Sequence, residues 1–160
     1  MKKRILEYII MLGISAVLVV LDIVTKVVAA NNLIVSSVEI IPGLLDLVYT
    51  ENTGAAFGML SDNRVFLIVF TLIFIAVFVL FDIFNHSNNI FYRIGYVMIF
   101  AGAIGNFIDR ILLGYVRDFI AISFFPFIFN VADIFITVGT VLLIIYIVFF
   151  MFKSDTKEKK

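Results

Sequence analysis

The chain has 160 residues, 63% hydrophobic and only 15% charged, with zero formal net charge and a mean hydropathy of +1.17. A soluble domain is nearer half apolar and a quarter charged, and so small a fold has too little interior to hide the excess, so most of this chain is expected to face lipid. Zero net charge offers no basic field for nucleic acid. The absence of cysteine excludes disulfides, thiolate zinc sites and a cysteine nucleophile. The single histidine, His86, lies in a polar stretch and is read as a loop histidine without a role, so carboxylates are left for chemistry and neither metal nor cofactor is expected.

A membrane-spanning helix needs about 20 mostly apolar residues, and four windows qualify: 5–30, 65–84, 91–113 and 127–152. The first follows Lys2, Lys3 and Arg4 and could pass for a signal peptide, but its apolar run is too long for one and is interrupted by Asp22 and Lys26. Those two are spaced i,i+4, which suits an ion pair on one helix face. The pair either stabilises the helix end or takes a direct part in chemistry.

Between the first two windows, residues 31–64 include a Pro42-Gly43 turn followed by Leu45-Asp46-Leu47-Val48-Tyr49-Thr50, a loosely alternating run rich in strand formers. It predicts a small sheet resting on one membrane face. The second window ends near Asp82, read as an ordinary solvated residue, and a short polar link leads to the third. There Gly105-Asn106-Phe107-Ile108-Asp109-Arg110 puts Asn106, Asp109 and Arg110 within one helical turn, while Gly102 and Gly105 would admit another helix or a backbone at close range. A supporting hydrogen-bond network is favoured here over chemistry. Residues 114–126 are apolar for a connection and are expected to lie in the interface as a loop.

Lys2, Lys3, Arg4, Arg93, Lys153, Lys157, Lys159 and Lys160 all fall on one side of a four-span plan, which by the positive-inside rule is the cytoplasm. Both termini are then cytoplasmic. The expected organisation is one transmembrane catalytic domain, residues 1–152, followed by a charged, disordered cytoplasmic tail, 153–160. The fold class is an all-α membrane protein, a four-helix transmembrane bundle with a small extracytoplasmic β-sheet between spans 1 and 2.

An ionisable group within a span costs about 2.5–3.5 kcal/mol on insertion scales and asks for a reason. Asp22, Lys26, Asn106, Asp109, Arg110, Asp118, Asn130 and Asp133 all map to the outer ends of spans or the adjoining loop. Asp118 and Asp133 flank one connection, and antiparallel helices joined by it could bring the two carboxylates to one depth. Two carboxyl groups in a partly dry site share a proton and titrate as a unit. The ionised member would activate water and the neutral one would protonate the oxyanion or the leaving amine. Asp133, near a helix N-terminus, is the better candidate for the charged member, with Asn130 at i−3 able to hold it or the substrate backbone. Spacing alone leaves open a structural network or a transport site, and so a structural membrane protein or a small transporter subunit.

Five motifs in order carry a resemblance over nearly the whole chain: Asp22-Ile23-Val24-Thr25-Lys26, Asn52-Thr53-Gly54-Ala55-Ala56-Phe57, Gly105-Asn106-Phe107-Ile108-Asp109-Arg110, Gly114-Tyr115-Val116-Arg117-Asp118-Phe119 and Phe129-Asn130-Val131-Ala132-Asp133. The chain resembles the lipoprotein signal peptidases, the type II signal peptidases of bacteria. The resemblance implies a metal-free intramembrane aspartic protease of the bacterial inner membrane, functional as a monomer among membrane lipids. Asp118 and Asp133 would be catalytic, and Asp22, Lys26, Asn52, Gly54, Gly102, Asn106, Asp109, Arg110, Asn130 and Ala132 would line or support the site. The implied substrate is a prolipoprotein whose cysteine carries diacylglycerol, cut just before that cysteine. One departure is that the stretch from Asp118 to Asp133 is a few residues shorter than the family's. Arg117 has two readings, lowering the affinity of Asp118 for its proton or pointing to lipid phosphate.

Overall fold

A computed structural model describes residues 2–54 and 63–151. The expected tail, 153–160, and the small residues Ala55 and Ala56 with Phe57 lie outside the described residues. Among the described residues, four helices are long and apolar enough to cross a membrane: α1 (Lys2–Leu33), α2 (Arg64–Asn85), α3 (Ile90–Leu112) and α4 (Val131–Tyr146), the last continued by a π-helical turn, Ile147–Met151. Val17, Phe70 and Phe149 are 60% or more exposed on α1, α2 and the π turn. Such surface suits only an apolar surrounding.

The third helix is central. More than half of its most apolar window is buried (56%), against 17%, 11% and 6% for those of the first, second and fourth spans. Glycine explains its closest contact. A Cβ on Gly95 would stand 2.8 Å from the Gly139 carbonyl oxygen, and one on Gly139 would stand 2.8 Å from that of Gly95. A Cβ on Gly102 would strike the Ala132 carbonyl oxygen, and one on Gly105 the Asp22 carboxylate. Small residues thus let α3 and α4 run backbone to backbone, as read for Gly102. Gly105 instead makes room for the Asp22 carboxylate of α1.

Two expectations change. The sheet has four antiparallel strands in the order β1 (Val38–Ile41), β2 (Leu45–Asn52), β3 (Val116–Ile122) and β4 (Ile128–Phe129). Only β1 and β2 lie between the first two spans. Residues expected to form an interfacial loop supply the other half, because the segment Val116 to Ile122 finds β2 as a partner and satisfies its backbone there. The fourth span correspondingly begins at Val131, not at 127, since Ile128 and Phe129 pair with Ala121 and Ile120.

At the opposite end of the bundle, Asp82 is 1% exposed and not solvated. The Tyr92 hydroxyl donates to its Oδ1 at 2.8 Å. His86 is not a free loop residue either. Its Nδ1 lies 3.3 Å from Asp82 Oδ1 and its Nε2 3.4 Å from Glu7 Oε2, with its ring beside Tyr8. Arg93 completes the cluster with a 3.1 Å contact to Glu7, so polar groups at a span end pair with each other instead of with water.

Candidate active site

The site forms where the C-terminal turn of α3, strands β2 and β3, and the first turn of α4 converge. Asp118 sits on β3, not on a helix end. It is opposite Thr50 of β2 and 2% exposed. Its Oδ2 accepts from Asn52 Nδ2 at 2.8 Å and its Oδ1 from Asn130 Nδ2 at 2.6 Å. Burial, reinforced by the nearby charge of Asp133, pushes its carboxyl up to about 6, although both amide bonds and the charge of Lys26 favour ionisation.

Asp133 is reached by a different local rule. Asn130 is the N-cap of α4, its Oδ1 accepting from the Asp133 backbone N–H at 3.0 Å, while Asp133 Oδ2 accepts from the Asn130 N–H at 3.1 Å. This reciprocal capping box satisfies donors that a helix start leaves free and fixes the Asp133 carboxylate at the helix mouth. Its Oδ1 accepts from Asn106 Nδ2 at 2.8 Å. Asn130 therefore holds both carboxylates, one by its side chain and one by its backbone. Sequence spacing had suggested a link to Asp133 or to the substrate backbone, not one to Asp118.

The remaining polar residues form a buried scaffold. Lys26 donates to Asp22 Oδ2 and to Asn106 Oδ1, both at 2.8 Å, and lies 3.8 Å from Asp109 Oδ2. Lys26 and Asp22 are 0% exposed. Asp22 Oδ1 accepts from the Ala132 N–H at 2.9 Å, which sets a carboxylate at the positive end of α4. The i,i+4 pair on α1 thus reaches α3 and α4 together. Asn106 Oδ1 also accepts from Asn130 Nδ2 at 3.1 Å.

Arg117 follows neither of its two readings. Its backbone N–H and Nε each donate to Asp109 Oδ2 at 3.1 Å and its Nη2 to Oδ1 at 2.5 Å. That fork anchors the start of β3 to the end of α3, and the Asp109 bonds raise the affinity of Arg117 for its proton. Arg110 donates through Nη2 to the Gly54 carbonyl oxygen at 3.3 Å. Its Nε is buried with no partner among the described residues. Gly54 N–H donates to Asn52 Oδ1 at 3.0 Å, which aims the Asn52 amide at Asp118. Every residue expected at the site is therefore in one neighbourhood, Gly102 and Ala132 as the close backbone contact beneath it.

A cavity of about 910 Å³ opens beside this network. Asn52, Gly54, Asn106, Arg110, Asp118 and Asp133 lie on its polar side. Phe124, Phe125, Phe127, Phe129, Ile134 and Val138 form an apolar side, which the sequence signalled only as the unusual greasiness of residues 114–126.

A family model described as signal peptidase (SPase) II matches residues 14–149. The chain is 42% identical over 143 residues to the lipoprotein signal peptidase of Clostridioides difficile, covering 88% of this chain and 96% of that one. It is 45% identical over 131 residues to the lipoprotein signal peptidase of Caldanaerobacter subterraneus, covering 81% and 90%. A solved bacterial membrane enzyme, obtained by the in meso method at 2.3 Å, superposes with a TM-score of 0.80 at 38% identity, covering 94% of this chain and 91% of the other.

Proposed function

This chain belongs to the signal peptidase II family of proteases, and from that premise we propose that Asp118 and Asp133 form an aspartic pair that removes signal peptides from lipid-modified prolipoproteins. The observation that carries the assignment is the grip of Asn130 on both carboxylates. The two acids come from a strand and a helix start, and one buried residue sets their relative position.

In the reaction, Asp133 takes a proton from the attacking water. Its carboxylate, held by the Asn130 N–H and by Asn106 at the first turn of α4, is placed for that role. Asp118, whose carboxyl is held up to about 6 by burial beside Asp133, gives its proton to the carbonyl oxygen; as the C–N bond breaks, Asp133 passes the proton it took from water to the leaving amine, and Asp118 recovers a proton from the collapsing diol. Arg110 Nε, a buried donor without a partner among the described residues, binds a substrate carbonyl. The apolar wall from Phe124 to Phe129 takes the lipid of the diacylglyceryl cysteine, and cleavage falls just before that cysteine. Asn52, Gly54, Asp22, Lys26, Gly102, Asn106, Asp109, Asn130 and Ala132 support the pair.

The chain is a multi-pass bacterial membrane protein. The distribution of Lys2, Lys3, Arg4, Arg93 and the lysines of 153–160 supports cytoplasmic termini, with the sheet and the site at the outer face. Residues 1–152 act as one catalytic domain, in monomeric form. The family favours this reading over a transporter subunit or a purely structural protein.

Purified Asp118→Asn and Asp133→Asn proteins, given lipidated and unlipidated prolipoprotein peptides, test the assignment. Folded protein with retained binding, no cleavage by either variant and no effect of chelators on the unmodified enzyme is the expected result. A folded single variant with full turnover overturns the pair.

A further inference from the structure

Arg64, the first residue of α2, makes two bonds that no step above uses. Its Nε donates to the Arg110 carbonyl oxygen at 3.0 Å, and its Nη2 donates to that of Ile111. These carbonyls belong to the last turn of α3, where a helix leaves its final acceptors unsatisfied and its dipole favours a cation. Gly114 turns the chain just beyond these carbonyls at φ +92°, a left-handed backbone that favours glycine. A planar guanidinium spans two successive carbonyls, which a lysine ammonium does not match.

The turn so capped carries Asp109 and Arg110. Asp109 receives the three bonds of Arg117, the residue before Asp118, and Arg110 reaches Gly54 beside Asn52. We propose that Arg64 is a positioning residue for proteolysis: by clamping the end of α3 from α2, it fixes the height at which Arg117 presents Asp118. This rests on the aspartic-pair reading. It gives α2 a purpose at the site, to which α2 otherwise contributes no described residue.

A misplacement of about 1 Å can cost on the order of a hundredfold in rate, whereas Arg64 is not among the described residues that line the cavity. The test is steady-state kinetics on Arg64→Gln and Arg64→Lys in detergent with a lipidated peptide, alongside Asp118→Asn, each corrected for folded fraction. Arg64→Gln is expected to lower kcat about tenfold or more with KM within about threefold. Arg64→Lys should recover part of that loss without reaching the unmodified rate. Folded Arg64→Gln with unchanged kcat overturns the proposal, as does a loss confined to folded fraction. Should Arg64→Gln not fold, Arg64→Lys decides alone, and an unmodified rate there overturns it. An inert Asp118→Asn beside a fully active Arg64→Gln sinks this inference only, and an active Asp118→Asn sinks the aspartic pair itself.

Discussion

The Asn130 side-chain amide donates to Asp118 Oδ1 at 2.6 Å while the oxygen of the same amide caps the helix whose first turn carries Asp133. A residue that would serve as an ordinary helix cap is thereby also the spacer between two acids. Its two duties separate by substitution.

Asn130→Ser keeps a capping oxygen but is too short to reach Asp118. Serine and asparagine caps are of similar strength, whereas alanine costs about 1 kcal/mol. We expect Asn130→Ser to melt near the unmodified protein and Asn130→Ala to melt lower. Both should lose turnover about tenfold or more. Thermal melts and cleavage rates measured on the same preparations check this. A fully active Asn130→Ser would remove the spacer role.

The Asp118 carboxyl, held up to about 6 by burial and the neighbouring Asp133, has a usual value of 3.8. As the proton donor in catalysis it should make kcat/KM fall above about pH 6, roughly tenfold per unit. Its effect on stability has the same origin. Between 3.8 and about 6 the folded protein keeps a proton that the unfolded chain has released, so stability falls as pH rises through that window. A pH series of rates and of melting temperatures reads both, and a kcat/KM flat from pH 5 to 8 would argue against Asp118 as donor.

Lys26 is wholly enclosed, with Asp22 and Asn106 as its acceptors. Removing one member of a buried ion pair costs about 3–5 kcal/mol because it strands the other. Lys26→Met alone should therefore lower the melting temperature steeply, and Asp22→Asn with Lys26→Met should lower it by less than the two single changes together. Additive losses in that double-mutant cycle would mean the pair is not coupled.

Two glycines forecast opposite results. Gly102→Val would drive a side chain into the Ala132 backbone and displace the start of α4, so loss of both stability and cleavage is expected. A Cβ on Gly13 meets nothing within 4 Å, and alanine is favoured over glycine in a helix by about 1 kcal/mol. Gly13→Ala should melt at or above the unmodified temperature with normal turnover. A melt series on the two proteins in one detergent decides.

The four spans and the polar set were legible because both signals are local. Apolar runs of sufficient length announce helices, and charges inside them are costly enough to mark a site. The strand around Leu45 to Thr50 was legible for the same reason. Its partners were not, because pairing depends on what the fold brings alongside, and nothing in Val116 to Ile122 names β2. Asp82 and His86 were misread for a related reason. A polar residue at a span end looks solvated in one dimension, and only the packing of α1, α2 and α3 reveals Glu7 and Tyr92 beside it. Asn130 at i−3 from Asp133 pointed to a hold on that carboxylate, but its reach to Asp118 required knowing that residue 118 lies on a strand.

The pairing of β2 with β3 has a consequence for how the enzyme comes into being. Asn52 is synthesised before the second span and Asp118 after the third, and the mouth of the last helix must then arrive with Asn130 and Asp133. A nascent chain halted anywhere short of that helix lacks an acid and the spacer that sets it. On the proposed assignment, cleavage therefore awaits the translation of the fourth span, and a chain halted before it should be inert.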